Sequence, residues 1–547
     1  MKKMKLLPLM LAVLLVAGLF ASCADGTPSA PAPAPSQEAA PGTPEDAPAS
    51  NLPERSSINV QVFDRGTDGG RTDPADSYYA NWIIDKALED LNLEVTFIKV
   101  SRWEETEQLN ALMAAGNAPD ISMTYSNELI ANFRDLGGLV DLEPYIDTML
   151  PDLKEFLGDD DAVPGKELIR RNKLLDTGEV HYIPARRMNL AMINTFIRKD
   201  WLDKLGLPLP ATTDEFYETM KAFKEQDPGE VGANNVIPFI MTTDVRWRAR
   251  NLLASFIDPN LTPKDRWVNT VVDREVLLPG YKEGVRFLNK MFNEGLIDPE
   301  FPLYKDDITN DNLIQSGVVG AFIHNWDQPF RESPGLYRGL AENVPGAEYV
   351  TVDCFINAAG RAYKSGYDPA GLNFFIPSYS KNVDGALRYM NWLSKFENRY
   401  FLQTGNEGVT HELVDGIPRI ITTEGPEIMN SAMNIDYTFM INGLDTGDPA
   451  KNARALALSY AVDSAVIEQA YAHAMNDAEP MLVVPGLTLS AVGPVTQTLI
   501  DKELTIMSES ITASPDRFDA VWDAGIQDWL ASGAQAVIEE RAEKYYE

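Results

Sequence analysis

At 547 residues the chain is too long for one ordinary hydrophobic core and predicts two domains or two large lobes. Its 81 Asp and Glu against 47 Lys and Arg give a formal charge of -34, a field that repels nucleic acid and anionic headgroups and argues against a nucleic-acid role. So large an acid excess reads as the solubilising surface of an exported protein, within which local basic pockets remain possible.

The N-terminus joins a basic start (Lys2, Lys3, Lys5) to an apolar run from Leu6 to Phe20, then small residues and Cys23. That is the pattern of an export signal over residues 1–22. The apolar run is shorter than the roughly 20 residues of a spanning helix, and no later stretch is long and apolar enough to cross a bilayer. Phe20-Ala21-Ser22-Cys23 resembles a bacterial lipobox, with Phe20 in place of the usual Leu. The resemblance implies that Cys23 carries a diacylglycerol and begins the mature chain; the alternative is ordinary secretion with a chance cysteine. Residues 23–56 are rich in Pro, Ala and Ser, cannot form a core, and predict a disordered tether. The only other cysteine, Cys354, is expected as a buried structural thiol, and a lipidated Cys23 leaves it no disulfide partner. The histidines are four, His181, His324, His411 and His473, and they show no metal-binding spacing.

The folded part opens with alternation at Ile58, Val60 and Val62, which predicts a strand. YYANWIIDKALEDLN predicts a helix, LEVTFIKV a second strand, ETEQLNALMAAG a second helix stopped at Gly116, and a third strand begins at Asp120. This β-α-β-α-β order implies right-handed crossovers and a largely parallel sheet. Further on, Phe216, Met220 and Phe223 share one helical face, as do Leu387, Met390 and Leu393 behind Asp384 as the expected N-cap. Gly206 reads as a left-handed C-cap, and Trp201 as a packed residue.

The helix, Gly and Ala-Pro-Asp-Ile sequence resembles the first lobe of extracellular solute-binding proteins of bacterial ABC importers. The resemblance continues through HYIPARRMNLAMINTFIRKDWLDKLGLPLPATTDEFYETMKAFKEQDP, NEGLIDPEF, SGVVGAFIHNW, SKNVDGALRYMNWLSKFEN and TGNEGV, in family order over most of residues 57–547. It is nearest to the long lipoprotein branch with alginate-type oligosaccharide binders. It implies an α/β, two-lobe periplasmic-binding-protein-like (type II) fold with an interlobe ligand cleft. Lobe one would comprise 57–185 and 375–440, lobe two 186–374, and 441–547 would belong mainly to lobe two with C-terminal helices. The function implied is that of a non-catalytic, extracytoplasmic lipoprotein. It would be a monomer, held to the membrane by its N-terminal lipid alone, that passes an oligosaccharide to an ABC transporter permease without a cofactor. An exported glycan hydrolase or lyase, and a receptor for a peptide or other non-sugar solute, stand as alternatives.

Sugars present flat C–H faces and many hydroxyls, which aromatic rings and planar polar side chains match. Tyr125 and Asn127 follow a strand at its carboxyl end, where open α/β sheets bind ligands, and Trp326 follows VVGAFI in the same way. Arg186 and Arg187 sit at the first predicted crossing, Trp247 in a loop beyond the strand Pro238 to Met241, and Glu407 in a Gly-flanked turn. Arg65, in FDRGTDGG, faces the same edge; a surface salt bridge explains it equally well. No catalytic residue and no metal ligand is predicted.

Members of that branch often carry, after the helix that here ends in KEQ, a loop of the form D-x-[DN]-x-[DN]-G that resembles an EF-hand. Counted from Asp227, the turn glycine at position six is present as Gly232. Positions three, five and twelve, however, are Gly229, Val231 and Pro238, where an EF-hand needs side-chain oxygens and a bidentate Glu. The expectation is a turn that persists without its metal, held by Gly232 and by Asn side chains on the backbone. A weak calcium site rebuilt with Glu230 is the competing reading.

Overall fold

The computed structural model describes residues 52–66, 72–159, 167–331, 335–421, 425–428, 436–460, 462–480, 482–487 and 489–546. The export signal, Cys23 and the tether as far as Asn51 lie outside the described residues.

Strands β1 (Ser56–Asp64) and β2 (Leu93–Ser101) pair in parallel, with Ser56 opposite Leu93 and Asp64 opposite Ser101. The connecting helix Tyr78–Leu91 starts where the Ser77 hydroxyl accepts from the Ala80 amide and stops at Asn92, which is left-handed with φ 52°. Helix Glu105–Ala114 then leads to β3 (Ser122–Thr124), whose preceding residue Ile121 bridges Val60 in parallel. The predicted β-α-β-α-β unit is therefore present. β4 (Ile183–Arg187) joins the same sheet further along.

A second sheet holds β5 (Ile193–Arg198), β6 (Ile237–Ile240), β7 (Val319–Asn325) and β8 (Tyr349–Val352) in the order β6-β7-β5-β8. Here β7 runs antiparallel to β5 and parallel to β6. After β9 (Lys364–Gly366) the chain returns to the first sheet as β10 (Ala370–Phe375), which is antiparallel to both β3 and β4. A hairpin, β11 (His411–Val414) and β12 (Ile417–Ile420), precedes β13 (Ile441–Asn442), which lies parallel to β4. β14 (Ala478–Pro480) finally pairs with β9.

Each sheet has its own apolar core. Val60, Val62, Ile83, Ile183, Phe374 and Leu387 belong to the first. Ile197, Trp201, Phe223, Phe239 and Ala321 belong to the second, which also takes Trp522, Trp529 and Val537 from the C-terminal helices. Trp201, Phe216, Met220 and Phe223 are fully buried, and Gly206 ends its helix at φ 66°, as the sequence predicts. Cys354 is buried, and burial pushes its thiol far above the ordinary range.

The cap of helix Val383–Leu393 is a correction. Asn382, not Asp384, accepts from the Gly385 amide at 2.9 Å and also donates to the Ser57 carbonyl at 2.9 Å, fastening the helix to β1. Asp384 lies inside the first turn and pairs with Arg388 one turn on, at 2.8 Å. Asn382→Ala is expected to lower unfolding stability by about 1 kcal/mol or more, while Asp384→Ala costs less than about 0.5 kcal/mol. Urea denaturation of the two variants, followed by circular dichroism, checks the order; equal losses contradict it.

Candidate functional site

Three chain segments cross between the sheets side by side. The Arg187 amide donates to the Pro369 carbonyl at 2.8 Å, Met188 to Asn442 at 2.8 Å, and Tyr367 to Leu190 at 2.9 Å. β4 and β13 leave the first sheet here and β10 enters it, so the carboxyl ends of that sheet's parallel strands point toward the second lobe. In the second lobe β5 begins just after the crossing, and the Trp326 amide at the end of β7 donates to the Met192 carbonyl at 3.1 Å. The carboxyl ends of β6 and β7 therefore point back toward the hinge. Two carboxyl edges line one cleft, the place where open α/β sheets bind ligands.

On the first face, Arg65, Arg102 and Tyr125 follow β1, β2 and β3. Arg65 makes a two-pronged pair with Asp436, at 2.6 Å and 2.7 Å, and reaches the Tyr125 hydroxyl at 3.3 Å. The Arg102 guanidinium sits 4.4 Å from the Tyr125 ring centroid and pairs with Glu105 at 3.1 Å. Burial raises the carboxyls of Asp436 and Glu105, while Arg65 and Arg102 respectively pull them back down. The adjoining Trp103 is 76% exposed and lies against Arg102, whose guanidinium is 5.6 Å from its ring. Asn127 is exposed and accepts from the Asn373 amide group at 2.7 Å.

On the second face, Trp247 lies on a short helix, Val245–Arg248, rather than in the loop expected. Asp244 caps that helix by accepting from the Trp247 amide at 3.3 Å. The indole N–H donates to the Asn325 side chain at 2.7 Å, which fixes the ring, and the Tyr367 ring lies 6.4 Å away. Arg187 stacks over Tyr367 at 4.1 Å from its centroid. Burial raises the Tyr367 phenol.

The structure thus brings Arg65 and Tyr125 together on one face, and Arg187 and Trp247 on the other. Arg186 points elsewhere: its guanidinium donates to the carbonyls of Phe156 and Leu157 at 2.8 Å and 2.6 Å, holding the turn there. Trp326 is 3% exposed and packs edge-on against Tyr471, 5.3 Å between centroids, so it backs the wall rather than presenting a free face. Glu407 sits exposed in its turn, bridged to His411, and is brought to neither face. Sequence reasoning missed Trp103, Arg102, Asn325 and Tyr367. Trp103 had a signal, since it closely follows the strand LEVTFIKVS as Tyr125 follows its own.

Residues 74–398 match the model of the bacterial extracellular solute-binding protein family. The chain belongs to that family. Among curated relatives, a polygalacturonan/rhamnogalacturonan-binding protein of Bacillus subtilis is 26% identical over 277 residues, 48% of this chain and 53% of the relative. Lipoprotein LipO of the same organism is 26% identical over 355 residues, 61% of this chain and 64% of that one. A fructooligosaccharide ABC transporter substrate-binding protein of Streptococcus pneumoniae is 28% identical over 204 residues, 36% and 37% of the two chains. The matches thus span 37% to 64% of these relatives' length. Among solved structures, an alginate-binding protein without calcium ion has a TM-score of 0.59 at 19% identity, covering 90% of this chain and 98% of its own. An extracellular solute-binding protein of Bifidobacterium longum subsp. infantis has a TM-score of 0.64 at 18% identity, covering 89% and 97%. These likenesses place the chain in the two-lobed α/β fold of solute-binding proteins.

The EF-hand-like loop does not fit a calcium ion. Both carboxylate oxygens of Asp227 accept backbone amides, from Val231 at 3.0 Å and Gly232 at 2.8 Å. A side chain at Gly229, position three, is shut out, because its Cβ would lie 2.7 Å from the buried Trp201 indole. Asn235 donates to the Val231 carbonyl at 2.8 Å, and Lys204 donates to the Pro228 carbonyl at 2.8 Å and lies 3.9 Å from Glu230. An ammonium and two amides thus hold the turn that a metal would otherwise organise. Among the described residues no cluster of three or more His, Cys, Asp or Glu side chains is placed to bind a metal. Calorimetric titration of chelator-treated protein is expected to give no saturable heat at micromolar Ca²⁺, and calcium should not raise its melting temperature; binding abolished by Asp227→Ala would contradict this.

Proposed function

We propose that this family member is a non-catalytic receptor that captures an oligosaccharide in the interlobe cleft and delivers it to an ABC transporter permease. The observation that carries the reading is the pairing of two aromatic platforms, Trp103 on the first face with the Arg102 guanidinium beside it and Trp247 on the second with the Asn325 amide beside it. Flat rings cover the C–H faces of pyranose or furanose rings, and planar polar groups take their hydroxyls. The carboxylates on the first face are held in ion pairs with Arg65 and Arg102, which supports binding rather than acid–base chemistry. The sugar-binding relatives support the ligand class. The lipobox-like Cys23 and a LipO relative support a lipid anchor outside the cytoplasmic membrane. No helix among the described residues is long and apolar enough to cross a membrane.

Isothermal titration of the soluble body against neutral and acidic oligosaccharides tests the reading, with chromatography of the recovered sugar. Expected is one-to-one binding with the sugar returned intact. Trp103→Ala and Trp247→Ala should each weaken it about ten- to a hundredfold, or roughly 1.4–2.8 kcal/mol. Sugar cleavage that scales with protein places the chain among enzymes instead. For the anchor, mass spectrometry of the mature N-terminus should find acylated Cys23, and Cys23→Ser should release the protein to the medium; an unmodified peptide running through Cys23 excludes it.

A further inference from the structure

An aromatic platform is only as well placed as the groups that hold its edge. Trp247 is held by the Asn325 side chain, which accepts from the indole N–H at 2.7 Å. Asn325 ends β7, opposite Ile193 on β5, and its backbone amide donates to Nδ1 of the preceding His324 at 2.7 Å. A ring nitrogen that accepts carries no proton, so the neutral imidazole has its proton on Nε2. That Nε2 lies 3.6 Å from Asp307 Oδ2. The other oxygen, Asp307 Oδ1, accepts from Arg248 Nε at 3.1 Å and from Arg248 Nη2 at 2.5 Å. Arg248 directly follows Trp247 on the short helix Val245–Arg248. The contacts therefore close a ring, from Trp247 through Asn325, His324, Asp307 and Arg248 and back along the chain.

This ring has no ready substitute. His324 is 5% exposed and Arg248 7%, so water cannot easily replace a lost partner. Burial, reinforced by the Arg248 charge, lowers the pKa of the imidazole to about 4 and so keeps Nδ1 an acceptor at neutral pH. Burial works against the charge on Asp307, yet His324 and Arg248 hold its carboxyl down to about 2, and it faces both as an anion. The helix itself is a single turn, too short to keep its direction by its own hydrogen bonds. Its orientation is set instead by attachments: the Asp244 cap at its start, the Arg248 fork on Asp307 at its end, and Asn325 on the indole.

We propose that His324 is a positioning residue for the cleft, which fixes Asn325 through the last amide of β7 and, with Asp307 and Arg248, the angle at which Trp247 faces a bound ring. None of the three needs to touch the ligand. A tilted indole loses stacking area on a flat partner while every ligand-contacting group remains present. The effect on affinity rests on the sugar-receptor reading above; the effect on the indole does not.

Two measurements on the chain expressed without its export signal test the assignment. The first is the NMR resonance of the Trp247 indole N–H, identified by its loss in Trp247→Phe. His324→Leu should shift or broaden it, whereas His324→Asn, whose side-chain oxygen can take the place of Nδ1, should keep it at the parent position. The Trp529 indole N–H, buried in the same lobe on the Leu499 carbonyl, should not move in either variant. Should His324→Leu fail to fold, Asp307→Ala carries the same comparison, because the Asp307 side chain is 37% exposed. The second is calorimetry with the neutral and acidic oligosaccharides named above. His324→Leu should weaken binding about fivefold or more in the parent and less than about twofold in Trp247→Ala, since a residue that acts through the indole has nothing to act on once it is gone. A Trp247 resonance unmoved by the variant, a Trp529 resonance that moves with it, or equal losses in both backgrounds overturns the positioning role and leaves the receptor reading intact. A panel in which no glycan binds overturns the receptor reading, and the indole resonances then decide the positioning role alone.

Discussion

The three crossings stitched by Arg187 to Pro369, Met188 to Asn442 and Tyr367 to Leu190 set the terms for everything else in the molecule. They are backbone hydrogen bonds between segments lying far apart in sequence, continuing the ladder of the first sheet past its edge. Because two strands leave and one enters at that point, the carboxyl ends of the parallel strands in each lobe are turned toward the hinge. The segments that carry Arg65, Arg102 and Tyr125 then confront the short helix that carries Trp247 and the end of β7 that carries Asn325. Separate apolar cores on either side give each lobe packing that does not run through the crossings.

The first face is held together by contacts among its own side chains. Arg65 and Asp436 form a two-pronged pair, with the Asp436 side chain fully buried and that of Arg65 nearly so. Breaking one partner of such a pair leaves an unmatched charge in a poorly solvated position, which is far costlier than never having had it. Arg102 then packs against Tyr125 and Phe63, so the ring of Tyr125 is fixed from one side and its hydroxyl from the other. The result is a tied-down polar and aromatic surface from which Trp103 projects, 76% exposed. Its indole N–H reaches the Arg65 carbonyl at 3.4 Å, which ties the exposed ring to the same edge.

What was legible in the sequence was what depends on neighbours along the chain. Alternation at Ile58, Val60 and Val62, the helical face of Phe216, Met220 and Phe223, and the left-handed Gly206 all follow from local periodicity and backbone sterics, and the structure has them. The rule that ligands gather at carboxyl ends of strands put Tyr125 and Trp247 in view. The same rule offered Trp103 and also selected Trp326, which packs into a core, because it carries no information about which way a side chain turns. Asp384 reads as a cap because it is a good capping residue ahead of the apolar face, but Asn382, two positions earlier, is as good, and the bond from Asn382 to Ser57 that favours the observed start is a tertiary contact. Arg65 and Asp436 are separated by 371 positions, and no local pattern announces them.

The loop after helix Thr213–Gln226 shows the limit from the other side. Its outline survives because Gly232 supplies a φ of 91° and Asp227 caps two amides, and both are needed for the turn whether or not a metal is present. A calcium ion would need side-chain oxygens at further positions, and at one of those, Gly229, the Trp201 indole fills the space a ligand side chain would take. Trp201 is itself fixed between Arg198, 4.6 Å from its ring, and Phe223, 5.1 Å between centroids. An aspartate at position 229 would therefore require the core of the second lobe to repack. A backbone shape imposed by sterics and short-range hydrogen bonds needs no metal to hold it, and the atoms packed against it decide which side chains the loop can carry.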